Sequence, residues 1–357
     1  MRKPQSAQIR RITKRLLLYA MRTAGVFAMA RRLSRRRLRI LCYHGFSIGD
    51  QHEYAPIMFM RPAVFARRLA LLKRLNYVVL PLAEALEKLH RGDINRGEVV
   101  ITIDDGWKST LTLAAPLLLE HAMPACLYLT TYHVERAEVV TDVVIEYMFW
   151  RTARTTLSVR GIAADLDGDF AIPGNERALA ARWAGFGNKQ CDAAGRQKLV
   201  RTLAALLDLD YDTVTRNRRF ALIDAADVAE LQRCGVDIQL HTHTHTFPSS
   251  DQSAAAEEIL QNRRVLERIG AGRATHFCYP SGRYAPQHPE WLAALGIESA
   301  MTCDVGSNHS GHSPFLLKRY LDRDDAREIE FEAELSGVSD LLRSLRGTIG
   351  RPPETPK

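Results

Sequence analysis

The stretch Val99-Val100-Ile101-Thr102-Ile103-Asp104-Asp105-Gly106-Trp107 constrains this chain more than any other. A β-branched run of that length reads as a buried strand. Two adjacent carboxylates and a glycine follow it, where the backbone must turn. Carboxylates at the end of an apolar strand are costly to bury unless something positive meets them. A divalent metal ion is the expected partner, with the two aspartates in different roles.

The rest of the chain supplies a matching rhythm. Residues 38–43 read as a first core strand, ending in His44-Gly45-Phe46. Phe65, Leu69, Leu72 and Leu75 recur at helical spacing, residues 77–80 read as a second strand, and 81–89 as a helix. After Asp105 come a helix over 109–121 and a strand over 125–130. Residues 131–222 break the rhythm and read as a largely helical insertion with a candidate hairpin at 156–172, capping the barrel or shaping a cleft. The rhythm returns with helices at 224–233, 253–269 and 288–295 and strands at 235–240, 275–279, 298–302 and 315–319. Residues 326–346 read as one amphipathic helix, and the tail from Gly350 as disordered. Alternating strand and helix predicts a mostly parallel sheet, in which function collects at the carboxyl ends of the strands.

The formal net charge of +8 is unevenly spread. Residues 1–39 hold thirteen lysines and arginines and no acid, so subtracting them from the overall +8 leaves the remainder at −5. The basic character therefore belongs to the N-terminal segment. Residues 5–38 read as helical throughout, with apolar runs too short to span a membrane. Three readings fit that segment: a basic amphipathic helix on an anionic membrane surface, a helix packed on the domain, or a cleaved signal peptide. Nucleic-acid binding is excluded by the absence of a recognition motif and the acidic remainder. The six cysteines are scattered, without a C-x-x-C pair, which argues against a zinc ribbon and a disulfide framework. Free thiols suit a reducing compartment, so the expected place is cytoplasmic and peripheral at the inner membrane surface; the alternative is an exported or membrane-anchored protein. The expected organisation is a basic helix over 1–38, a barrel domain over 39–330 with its insertion at 131–222, and a C-terminal helix and tail over 331–357.

His44, Asp104, Asp105, His241, His243, His245, Tyr279 and Arg319 all fall at strand ends. Carboxylate and imidazole together are a ligand set for zinc or a similar divalent ion. His241 and His245 would share a face on a helix, and all three histidines would share one in extended chain. Either way, His241 and His245 can converge on one ion. A solvated His/Thr loop is the plainer reading of this run, but its pairing with Asp104-Asp105 favours a metal.

These same residues resemble the polysaccharide deacetylases of the NodB-homology type, carbohydrate esterase family 4. Ile101-Thr102-Ile103-Asp104-Asp105-Gly106 is similar to that family's T-F-D-D-G motif, and His241-Thr242-His243-Thr244-His245 to its H-[ST]-x-x-H. Phe277-Cys278-Tyr279-Pro280-Ser281-Gly282-Arg283-Tyr284 is similar to its F-x-Y-P-x-G-x-Y motif. The resemblance spans roughly 39–325, without the insertion. It implies a deformed (β/α)7 barrel that hydrolyses N-acetyl groups from an amino-sugar-containing polysaccharide or lipid-linked glycan. It further implies that Asp105, His241 and His245 bind the metal and that Asp104 is the general base. Thr242 would order the histidine loop by hydrogen bonding, and His243 would sit behind the ligands or at the rim. Two departures stand out. The family's orienting arginine is replaced by Cys278, for which Arg319 is the candidate substitute. The family's C-terminal acid histidine is missing from the last strand, and His44 is the candidate acid, ahead of His309 and His312. Backbone N–H groups near Ser281 could hold an oxyanion. The rival reading, supported by those departures, is a carbohydrate-binding barrel that has lost turnover.

Overall fold

The computed structural model describes residues 5–134 and 139–345. Seven parallel strands form a closed ring: Arg39–Tyr43 (β1), Glu98–Asp105 (β2), Ala125–Leu129 (β3), Val236–Leu240 (β4), His276–Cys278 (β5), Ser299–Val305 (β6) and Leu317–Leu321 (β7). β1 closes it. It pairs with β2 from Arg39–Val99 to Tyr43–Ile103, and with β7 through Leu41–Tyr320 and Cys42–Leu321. This is the expected (β/α)7 barrel. Its deformation is local: β4 meets β5 only at Leu240–Phe277, and the β6–β7 register shifts between Met301 and Val305.

Side chains alternate across a strand. Val99, Ile101 and Ile103 therefore pack outward with Phe65, Leu69 and Leu118 of the surrounding helices. Val100 packs inward with Ile40, Cys126, Tyr128, Cys278 and Met301. Thr102 and Asp104 continue that inner face. All eight β2 positions are buried.

Several expected elements need correction. The strand read at 77–80 is only Val78–Val79 and lies outside the ring, opposite Glu98 and Val99 at the start of β2. From Thr102 onward β3 occupies that edge, so the short strand has no further partner surface. β7 lies at 317–321 rather than 315–319. The single helix read over 326–346 is two, Glu328–Ser336 and Val338–Leu345, broken at Gly337 with φ 84°. A β-carbon there would come within 2.9 Å of the Ser34 hydroxyl oxygen. The tail from Gly350 lies outside the described residues.

Residues 141–206 hold helices Thr141–Arg151, Glu176–Gln190 and Ala193–Leu206 and an antiparallel hairpin, Thr156–Val159 with Gly168–Ala171. They form a second apolar core around Phe149, Trp183 and Leu203, which reaches the barrel at Phe59 and Trp107. The N-terminal segment is two helices, Gln5–Thr23 and Val26–Leu33, separated at Gly25 with φ 78°. Leu18, Phe27 and Ala30 dock them against Ile329, Ala333 and Val338. No helix among the described residues is long and apolar enough to cross a membrane. All six cysteines are free thiols; Cys42, Cys126 and Cys278 are buried, while Cys303 is exposed.

Just beyond β7, the Asp322 carboxylate accepts from Arg68 Nε at 2.8 Å, with both side chains almost wholly buried. Removing one partner of such a pair leaves the other charge uncompensated. Arg68→Ala should lower the unfolding free energy by about 3–5 kcal/mol, read from the denaturant midpoint at unchanged slope. A loss below about 1 kcal/mol, the range of exposed pairs, would mean that Asp322 is effectively solvated.

Candidate active site

β2 delivers its two carboxylates differently. Asp104 continues the inner face. In regular strand geometry Asp105 would face the outer helices, but its φ is 73° and that of Gly106 is 95°. The chain turns there, and both carboxylates reach the carboxyl end of the barrel. A β-carbon on Gly106 would collide with the Leu129 side chain.

Arg319, on the inner face of β7, grips the first carboxylate. Its Nη1 donates to Asp104 Oδ1 and its Nη2 to Oδ2, each at 2.8 Å. Nε donates to the Thr302 carbonyl at 2.9 Å, and Nη1 also to the Thr102 hydroxyl at 3.2 Å. A planar guanidinium fork fits a carboxylate in this way. Burial alone would push the Asp104 carboxyl up. The Arg319 charge and hydrogen bonds, aided by His241 and His44, overcome that and bring it down to about 2. The thiols of Cys42 and Cys278 lie 3.6 and 3.5 Å from Asp104 Oδ2, and burial pushes both well above the usual thiol range. They stay protonated beside the carboxylate. His44, at the end of β1, places Nε2 4.0 Å from Asp104 Oδ2. Its Nδ1 is buried with no partner among the described residues.

The second carboxylate faces the histidines. His241 Nδ1 lies 2.8 Å from the Cys278 carbonyl. A carbonyl only accepts, so that nitrogen carries the hydrogen and Nε2 is left to act as a ligand. His241 Nε2 and His245 Nε2 each lie 3.4 Å from Asp105 Oδ1. The ligand atoms of all three residues lie within 4.8 Å of one another. Two ring nitrogens and a carboxylate oxygen so placed form a nitrogen–oxygen donor set that fits a divalent metal. Burial would raise the Asp105 carboxyl, but the two imidazoles facing it, His241 first, hold it well below the usual carboxylate range.

The loop is held from behind by helix Gln252–Arg268. Asn262 Oδ1 accepts the His241 N–H at 2.9 Å, while its Nδ2 donates to the Leu129 carbonyl and the Thr131 hydroxyl, each at 3.0 Å. One turn earlier, Glu258 accepts the Thr244 N–H at 2.8 Å and its hydroxyl at 2.7 Å. These contacts sustain positive φ at Thr242 and His245, 64° and 61°.

The structure thus brings His44, Asp104, Asp105, His241, His245 and Arg319 to one end of the barrel. Some other expectations fail. The Thr242 hydroxyl is buried without a partner among the described residues; it is the Thr242 carbonyl that accepts, from Thr130 Oγ1 at 3.2 Å. His243, by contrast, takes the first of its two expected places: it is buried behind the ligands, its Nδ1 3.0 Å from the Thr131 hydroxyl, and not at the rim. His309 and His312 sit at the opposite end of the barrel, because neighbouring Asn308 bridges to Leu38, before β1, whereas His44 follows it. Near Ser281, the N–H groups of Gly282 and Arg283 are used by the carbonyls of Tyr279 and Pro280, which leaves the N–H of Ser281 itself as the candidate for an oxyanion.

Sequence reading missed Trp107, Glu258 and Asn262. Trp107 stood two residues beyond Asp105, a legible position. The helix residues carried no local signal. Trp107 Nε1 donates to Asp105 Oδ2 at 3.0 Å. Groups that hydrogen-bond a metal's ligands tune its affinity. Trp107→Phe, which keeps the packing but frees Oδ2, should weaken zinc binding by about 10–100-fold in a chelator competition. Unchanged affinity would reduce that contact to packing alone.

The family model "Polysaccharide deacetylase" matches residues 210–300, which include the histidine loop and the third motif. No curated protein matches the chain by sequence. The fold is similar to that of the Streptococcus pyogenes deacetylase PplD, with TM-score 0.56 and 15% identity over 84% of this chain and 98% of that one. It is also similar to IcaB from Ammonifex degensii, with TM-score 0.52 and 17% identity over 84% and 97%. The polysaccharide deacetylase BC0361 from Bacillus cereus follows at TM-score 0.50 and 15% identity, over 84% and 69%. The family-model match and the shared barrel together bear out the chain's resemblance to the NodB-homology polysaccharide deacetylases.

Proposed function

We propose that the chain is a metal-dependent hydrolase that removes N-acetyl groups from an amino-sugar-containing polysaccharide or a lipid-linked glycan. The observation that carries this reading is the split of two adjacent carboxylates, Asp104 gripped by Arg319 and Asp105 facing His241 and His245. Asp105, His241 and His245 would hold the ion, for which zinc suits the donor set. When bound, a divalent ion acidifies water and polarises the amide carbonyl. Asp104 takes the proton from the attacking water, and Arg319 keeps that carboxylate ionised and fixes its plane. His44 gives a proton to the amine nitrogen as the C–N bond breaks, and acetate departs with the water oxygen. The solved Streptococcus pyogenes deacetylase is in complex with acetate, the product this reaction would release. The impaired-barrel alternative rested on the missing arginine and histidine. Arg319 on Asp104, with His44 nearby, favours turnover instead. The free thiols favour a reducing compartment, and the basic N-terminal segment a peripheral place at the inner membrane surface. Export or anchoring is the alternative.

Acetate release from N-acetylated chito-oligosaccharides should stop on chelation and return with added zinc. Asp104→Asn should still bind metal while kcat falls by about 10²–10⁴, whereas Asp105→Ala and His245→Ala should lose metal. Full activity in Asp104→Asn would remove it from the role of base. A general acid must hold its proton, so its loss appears as a fall in rate with rising pH. His44→Ala should lower kcat and abolish that fall; an unchanged profile would take the role away from His44.

A further inference from the structure

Helix Gln5–Thr23 docks through the buried Leu18, flanked by half-exposed basic residues that pair with acids of the domain. Ile9, Ile12, Leu16 and Tyr19 recur at helical spacing on one face and are 61%, 49%, 64% and 49% exposed. The opposite face surrounds the buried Leu18 and carries Arg11, Lys14, Arg15 and Arg22, which pair with Asp325, Glu330 and Glu332. The basic residues beside Leu18 thus pair with the domain, while the apolar stripe meets nothing there. The next helix also exposes apolar residues. Phe27 and Ala30 of Val26–Leu33 are buried, while Met29 and Leu33 are 57% and 79% exposed. Val338–Leu345, which packs beside it, exposes Leu341 and Leu345. Apolar displays of this kind mark interaction surfaces.

Charge identifies the partner. Arg10, Arg32, Arg35, Arg36 and Arg37 are exposed and, among the described residues, in no ion pair. Across the cleft beside Tyr19, Arg67 of helix Pro62–Arg74 is exposed and likewise in no ion pair among the described residues. An apolar stripe bordered by free arginines fits a bilayer with anionic headgroups: the stripe enters the acyl boundary and the guanidinium groups meet lipid phosphates. We propose that helices Gln5–Thr23 and Val26–Leu33 dock the protein flat on an anionic lipid bilayer through Ile9, Ile12, Leu16, Tyr19, Met29 and Leu33. Because neither helix is long and apolar enough to span, the attachment is peripheral. It stands independently of the deacetylase reading.

The test uses the full chain, co-sedimented with vesicles of phosphatidylcholine alone or with about one third phosphatidylglycerol. The wild type should pellet with the anionic vesicles only, and less as salt rises. Ile12→Glu/Leu16→Glu should weaken partitioning by about tenfold or more while keeping the wild-type thermal midpoint, since both positions are exposed. Arg35→Glu/Arg36→Glu should weaken it through charge, with the apolar stripe intact. The proposal is overturned if the wild type stays in the supernatant with anionic vesicles, or if the glutamate pair at 12 and 16 binds as the wild type does. It is also overturned if the lipid-free wild type is a dimer that this pair converts to monomer, because a second copy then covers the stripe.

Discussion

The carboxyl end of the barrel depends on one buried contact, the grip of Arg319 on Asp104. These residues come from β7 and β2, which are not paired with each other. β1 lies between them and hydrogen-bonds to both. Only a closed ring brings the inner faces of β2 and β7 within reach. The pair in turn makes closure worthwhile, since either charge left alone in that interior would cost several kcal/mol. The Thr102 hydroxyl, the Thr302 carbonyl and the Cys278 sulfur take up the remaining guanidinium hydrogens, which is what a buried pair needs to be tolerated. Closure and the charge of Asp104 are therefore one constraint seen from two sides.

The second carboxylate is positioned by strain. Strand alternation would send Asp105 outward, and a positive φ turns it back. Among the described residues, four of the nine non-glycine residues with positive φ (Asp105, Thr242, His245 and Ser281) belong to the three motifs. Such conformations cost about 1–3 kcal/mol each and persist where surrounding contacts over-determine them. Those contacts are visible here: Trp107 on Asp105, and Asn262 and Glu258 on the histidine loop. Trp107 is also where the second apolar core meets the barrel, so residues 141–206 bear on the carboxylate that faces the histidines through one indole.

Legibility followed the range of the interaction. The β-branched run before Asp104, the alternating strands and helices and the histidine loop are local patterns, and most appear within a residue or two of their expected places, though β6 runs three residues past its expected end, to Val305. The motif residues converge because strand ends in a parallel barrel must. Val78–Val79 was misplaced because a short β-branched run looks the same inside the ring or outside it; only competition with β3 for one edge of β2 decides. The helix over 326–346 hid its break, because Gly337 acts through contact with Ser34, some three hundred residues away. The polarity of helix Gln5–Thr23 was also out of reach. Its amphipathic spacing is plain, but which face the domain takes depends on acids at 325, 330 and 332. Thr242 misled for a related reason: the φ that shapes its loop also turns its hydroxyl away from any partner.

Cys278 explains how Arg319 can stand in for an arginine that the resemblance places elsewhere. The Cys278 thiol lies 3.1 Å from Arg319 Nη2 and 3.5 Å from Asp104 Oδ2, so it fills the space beside Asp104 that a longer side chain from β5 would need. Two guanidinium groups cannot share that space, because each would bring a desolvated positive charge to a single carboxylate. A small neutral residue on β5 and an arginine on β7 are thus two halves of one solution. Read alone, the cysteine looks like a lost function. Set against Arg319, it is the vacancy that lets a cation from another strand hold the same carboxylate, and the chemistry expected of Asp104 needs only that the cation be there.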